Sequence, residues 1–143
     1  MGDYNPLALE NQLCFPLYAA SRAVIKKYKP FLNEIGLTYT QYIVMMVLWA
    51  ESPMNVKALG ERLYLDSGTL TPLLKKLEKI GIVTRSRSDK DERELVVSLT
   101  ERGEHLREQA VEIPSKMSGC VSLTAEDVGA LYGLLYKLLD RLR

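Results

Sequence analysis

The chain offers little reactive chemistry outside its sulfur atoms. It has two cysteines, Cys14 and Cys120, and one histidine, His105. These three groups, widely spaced, cannot build a four-ligand zinc site from Cys and His alone. A Ser-His-Asp hydrolase would need His105 as its base, and no Gly-x-Ser-x-Gly turn accompanies it. No metal, no cofactor and no enzymatic activity are therefore expected. What remains is thiol chemistry. A thiolate attacks the O–O bond of a peroxide and becomes a sulfenic acid, which condenses readily with a second thiol. A lone cysteine on a helix is usually a small buried hydrophobe. Cys14, however, has Tyr18 four residues on and so on the same helical face. A phenol hydroxyl there can donate a hydrogen bond to a thiolate and favour its charged form. Eight tyrosines against two phenylalanines bias the chain toward aromatics with a polar tip.

Composition bounds the rest. The 143 residues, 47% apolar and 26% charged, fit one globular domain spanning 1–143. The longest apolar run, Tyr42 to Ala50, is far short of the about 20 residues that cross a bilayer. The start, MGDYNPLALENQ, does not read as a secretory signal. A reducing cytoplasm is the expected compartment, and a disulfide there would be transient and redox-sensing.

The elements that must position these groups are mostly helical. An apolar-periodic segment runs from about Leu7 to Ile35, with Gly36 as a C-terminal cap and a kink or break expected near Pro16 and Pro30. Thr38 with Gln41 forms a capping box, and Leu37 with Tyr42 a hydrophobic staple. The helix they open, Tyr39 to about Glu51, is apolar on all sides and reads as central and buried. Ser52-Pro53 stops it. Asn55 caps a third helix ending near Leu63, and a short turn, Tyr64-Leu65-Asp66, leads to a fourth. There Leu70, Leu73, Leu74 and Leu77 keep helical spacing. Pro72, tolerated in a first turn only, puts its start between Ser67 and Thr69, and Gly81 ends it. Residues 83–99 read as a β-hairpin with a charged tip at 88–92. Thr100 caps a helix whose pattern fails near Pro114. A loop with Gly119 and Cys120 follows, then a last helix opened by Thr124 and Asp127 with a long Leu/Val stripe.

Two short helices, a tight turn and a two-stranded hairpin make a winged helix-turn-helix. Its second helix enters the major groove of DNA. The face opposite the leucines carries Ser67, Thr69, Thr71, Lys75 and Lys76, which can read base edges or neutralise phosphates. The hairpin adds Arg85, Arg87 and Arg93, with Asp91 placed to orient Arg93 for a narrow minor groove. Residues 57–93 hold nine basic and six acidic groups, a net +3, so the remainder of this +1 chain carries −2.

These residues also carry a resemblance. The run Asp91-Glu92-Arg93-Glu94-Leu95-Val96-Val97-Ser98-Leu99-Thr100 is similar to the wing signature of the MarR family, Asp-x-Arg-x-x-x-Val-x-Leu-Thr. The segments Glu10–Phe15, Leu37–Tyr42 and Leu63–Leu74 resemble the organic hydroperoxide resistance regulators within that family, in its two-cysteine form. The resemblance implies a homodimeric repressor bound to a pseudo-palindromic operator, with 1–36 and 100–143 as dimerisation helices and 37–99 as the DNA-binding part. It implies that Tyr28 and Tyr39 reach Cys14 across the dimer interface, with Tyr18 beside them. Organic hydroperoxides would be the inducer, favoured by a lining of Phe15, Tyr18, Met45 and Met46. Oxidised Cys14 would pair with Cys120 of the partner subunit and release the operator. The sequence departs from many relatives at Pro16, which should free the carbonyl of Gln12 and bend the helix near the sulfur. A MarR-type repressor relieved by a small aromatic ligand, with Cys14 incidental, is the alternative.

Overall fold

A computed structural model describes residues 2–143; Met1, which opens the sequence, lies outside the described residues. The chain divides into two compact units, the first running to Ile113 and the second being Pro114–Arg143.

In the first unit a short 3-10 turn, Leu9–Asn11, precedes α1, Cys14–Glu34. The helix starts at Cys14, so Pro16 falls in its first turn. There no intrahelical N–H is needed, and the proline bends nothing. The expected bend beside the sulfur is thus corrected to a helix start. Nor does α1 break at Pro30. The carbonyl of Lys26, which loses its partner there, belongs to an exposed residue and can turn to water. Gly36, at φ 71°, closes α1 as expected, with the Leu37 N–H bonding the Leu32 carbonyl at 3.1 Å.

The Thr38–Gln41 capping box forms in both directions and opens α2, Tyr39–Ala50. Tyr42, Val44, Met45, Val47 and Leu48 are buried. Burial does not run all round, because Met46 stays exposed. Asn55 accepts from the N–H groups of Lys57 and Ala58 and opens α3, Val56–Leu63. The turn passes through Tyr64, whose left-handed φ of 57° lets the chain reverse tightly, and Asp66 caps α4, Ser67–Lys79. Pro72 sits in the second turn of α4 rather than the first. Its missing N–H leaves the carbonyl of Gly68 unpaired in the helix, and Gly68 is exposed to solvent.

The sheet has three strands rather than two. Met54–Asn55 forms a short β1, antiparallel to β3, Leu95–Leu99, which also pairs with β2, Val83–Arg87. Two residues beside a proline carry no readable alternation, so the pattern could not announce β1. Thr100 caps α5, Glu101–Ala110, as expected.

The junction of α4, the sheet and α5 is tight. Gly81, at φ 85°, ends α4, and its carbonyl accepts from the Thr100 hydroxyl at 2.7 Å. Gly103 lies against the backbone of Ile82, where any Cβ would strike the Ile82 carbonyl oxygen. Its own carbonyl accepts from the Trp49 indole at 2.9 Å.

The second unit adds a helix the sequence pattern missed, α6, which begins at the last residue of the first unit and spans Ile113–Ser118. Six residues are too few to show a period, and Pro114 reads as a breaker although it is allowed near a helix start. A short segment with Gly119 and Cys120 leads to Thr124, which caps α7, Ala125–Arg141, through the Asp127 N–H. None of the residues of α7 is buried, although it carries Val128, Leu131, Leu134, Leu138 and a Tyr132–Tyr136 ring pair at 4.7 Å.

Gly103→Ala should destabilise the fold by about 2 kcal/mol, because neither the α5 backbone nor the Ile82 carbonyl can yield without breaking the junction. Thermal unfolding followed by far-ultraviolet circular dichroism measures it, and an unchanged midpoint would contradict the packing described.

Candidate nucleic-acid interface and sulfur sites

The leucine stripe of α4 decides what its other face presents. Leu70, Leu74 and Leu77 are buried, so Ser67, Thr69, Lys75 and Lys76 face solvent and Thr71 is half-buried. Asp66 fixes the leading end. Its carboxylate accepts the Thr69 N–H at 2.7 Å. Hydrogen bonds from the backbone and side chain of Thr69, and then the Gly68 N–H, hold its carboxyl below the usual range. The Thr69 hydroxyl is therefore partly engaged in the cap. Asp66 as cap was not foreseen, although an Asp three residues before a Thr at a helix start is a readable signal.

At the wing, Asp91 accepts from both the backbone N–H of Arg93 at 3.0 Å and its Nε at 3.4 Å. The Arg93 side chain is almost fully exposed, so this local bond aims a guanidinium that remains free to reach outward. Arg87, at the end of β2, is exposed as well. Arg85 behaves differently. Its side chain is only 18% exposed and is turned onto Glu78 of α4. A groove of about 720 Å³ runs between α3, the α3–α4 turn and the wing base, touching Lys57, Tyr64, Ser67 and Arg93.

Cys14 and Cys120 are not bonded to each other, and both are exposed. Cys14 is the first residue of α1, a helix end whose free N–H groups favour anions. Cys120 follows α6, its Sγ 3.5 Å from the Lys116 carbonyl oxygen. Tyr18 lies one turn beyond Cys14, but its hydroxyl accepts from Arg22 at 3.1 Å and the same guanidinium sits 5.5 Å from the ring centroid.

Tyr28 and Tyr39 do come together, with ring centroids 4.9 Å apart, and Tyr42 joins them at 5.9 and 6.3 Å. Tyr28 lies fourteen positions beyond Cys14, about 21 Å along the axis of α1. Within one chain the cluster cannot touch that sulfur. Of the expected lining, Phe15 and Met46 are exposed while Met45 is fully buried. Among the described residues no group of His, Cys, Asp and Glu could hold a metal ion, and no helix is long and apolar enough to cross a membrane.

Helix, tight turn, helix and a charged two-stranded wing define a winged helix-turn-helix DNA-binding protein. Residues 26–109 match the family Transcriptional regulator SarA/Rot. The organic hydroperoxide resistance transcriptional regulator of Bacillus subtilis is 49% identical over 97% of this chain and 95% of its own. SarZ, an HTH-type transcriptional regulator of Staphylococcus epidermidis, is 50% identical over 83% of this chain and 80% of its own. The structure of AbfR, a Staphylococcus epidermidis protein, in its reduced, DNA-bound form is 38% identical over 94% of both chains, with a TM-score of 0.79. The overoxidised form of AbfR bound to DNA also gives 0.79, and its disulfide form gives 0.65. The chain belongs to the SarA/Rot family of transcriptional regulators, within the MarR-type winged-helix proteins and their organic hydroperoxide resistance branch.

Burial pushes the phenols of Tyr28, Tyr39 and Tyr42 above the usual 10.0, and Tyr28 reinforces this for the other two. The cluster thus stays neutral and able to donate hydrogen bonds. Because the folded values are raised, its contribution to stability is complete below the unfolded value and is lost as pH rises through the folded ones. Ultraviolet difference titration should show Tyr28, Tyr39 and Tyr42 ionising later than in the unfolded chain. Ionisation of these three at the unfolded-chain pH would contradict the cluster.

Proposed function

We propose that this chain is a peroxide-sensing repressor, a cytoplasmic homodimer that holds a pseudo-palindromic operator until Cys14 is oxidised. The reading rests above all on Cys14, exposed at the start of α1 in a chain half identical to a regulator named for organic hydroperoxide resistance.

The DNA contacts follow from exposure and charge. Ser67, Thr69 and Thr71 lead α4 into the major groove, and Lys75 and Lys76 neutralise phosphates. Arg87 serves the wing, and Arg93, aimed by Asp91, takes the minor groove. Arg85 supports the wing from within. Residues 37–99 form the reading head, while 1–36 and 100–143 pair the two chains. The uncovered apolar stripe of α7 and the exposed Leu13, Phe15 and Leu17 of the first segment support that pairing.

The sensing chemistry balances simply. The Cys14 thiolate attacks the O–O bond of an organic hydroperoxide. The alkoxide leaves and takes up a proton as an alcohol, and the sulfur becomes a sulfenic acid. The thiolate of Cys120 of the partner subunit then attacks that sulfur, releasing hydroxide that is protonated to water and forming an intersubunit disulfide. Tyr28 and Tyr39 of the partner subunit, neutral donors too far away in their own chain, hydrogen-bond to the Cys14 sulfur, with Tyr18 beside it. The relatives support the disulfide, rather than oxidation of sulfur alone, as the releasing event. AbfR is known both overoxidised on DNA and in a disulfide form, and this chain matches the DNA-bound forms better.

A second reading has its own support. A groove of about 630 Å³ between α1 and the start of α2 is rimmed by Arg22, Lys26 and Lys29 and floored by Leu32 and Leu37. It suits a small aromatic anion that would relieve repression without Cys14.

Cys14→Ser should abolish operator release by cumene hydroperoxide, and Cys120→Ser should keep Cys14 oxidation but lose the dimer band on a non-reducing gel. Peroxide-induced release that survives Cys14→Ser would overturn the proposal and favour the second reading. A particle of one chain's mass on size exclusion would remove the partner subunit from it.

A further inference from the structure

We infer that Glu78 is a positioning residue that sets the wing against the recognition helix, and that Arg85 serves DNA binding through this carboxylate without touching DNA. The inference rests on the DNA-binding face described above. Glu78 lies in the last turn of α4 and Arg85 in the middle of β2, on opposite sides of the Gly81 turn. One carboxylate oxygen accepts the backbone N–H of Arg85 at 2.9 Å, and the other meets its guanidinium at 3.3 Å. β2 is an edge strand, so the N–H of Arg85 points away from β3 and would otherwise have only water to bond.

The guanidinium is largely buried, and its Nε has no hydrogen-bond partner. A cation so enclosed is tolerated because a carboxylate faces it; without Glu78 it must leave for solvent. The other side-chain hydrogen bonds to the turn, from Thr100 to the Gly81 carbonyl and from Arg102 to the Ile80 carbonyl, hold the turn and not the strand. Glu78 is therefore the side chain that fixes the angle between α4 and the strand leading to Arg87 and Arg93. Binding that engages a major groove with α4 and a minor groove with the wing needs that angle set in advance.

Electrostatics alone gives the opposite sign. Glu78 places a negative charge on the DNA-facing unit, and deleting it should strengthen attraction to phosphates. If Arg85 were itself a phosphate contact, losing Glu78 would free it and strengthen binding further.

Affinity is read by fluorescence anisotropy with the duplex that the unchanged protein selects from a random pool. Glu78→Ala should weaken binding about tenfold, the scale of charge-assisted hydrogen bonds lost. Arg93→Ala should then cost much less in the Glu78→Ala background than in the unchanged protein, because an unanchored wing has already lost that contact. Binding by Glu78→Ala that is equal or tighter overturns the inference. So does an Arg93→Ala penalty that is the same in both backgrounds. Should Glu78→Ala lose the native circular dichroism spectrum, Glu78→Gln decides. It keeps an acceptor for the Arg85 N–H but gives up the charge, and about threefold weaker binding is expected where electrostatics demands tighter. If Arg93→Ala alone leaves affinity unchanged while Lys75→Ala weakens it, the wing reading itself has failed and takes the inference with it.

Discussion

The first unit is organised around α2, a helix with so little polar surface that other elements must cover it. Tyr42, Val44, Met45, Val47 and Leu48 are buried, and α2 touches α1, α3, α4, α5 and β3. Each such side chain gains about 1.5–3 kcal/mol from burial, which outweighs any local preference of the short elements around it. Covering α2 turns the leucines of α4 inward, and the hydroxyl and lysine face of α4 is turned outward by the same constraint. The polar face of α4 is thus the reverse side of core formation, and the wing follows because β3 packs on the same core.

The sulfur sites answer to a different constraint, the length of a helix. Cys14 and the tyrosine cluster stand at opposite ends of α1, a separation no side chain can bridge. Thiol and phenols can meet only when two chains lie side by side. In the proposed function the sensor therefore reports on the assembly rather than on one fold, as a pair of recognition helices matched to the spacing of DNA half-sites requires.

Much of this was legible because it is local. Capping boxes depend on residues three apart, and Thr38, Thr100 and Thr124 all cap where the spacing says they should. Gly36 and Gly81 end helices because left-handed backbone favours glycine. The hairpin forms over the residues read for it, with β2 at Val83–Arg87 and β3 at Leu95–Leu99. Weaker readings failed where a segment was short or a proline was given one meaning only. β1 has two residues and α6 has six, too few for any period. Pro16 starts a helix instead of bending one, and Pro30 and Pro72 sit inside helices at places where the orphaned carbonyl belongs to an exposed residue.

The winged helix-turn-helix, the polar face of α4, the two thiols and the family were readable from residue order, since these rest on periodicity, caps and motifs spanning a few residues. Folding in three dimensions settled that Arg85 is held by Glu78, that Tyr42 completes the Tyr28–Tyr39 cluster, and that Cys14 begins its helix far from those phenols. Such facts depend on which residues distant in the chain share a boundary and on which way each side chain turns there. No spacing along a chain encodes that until the core has closed.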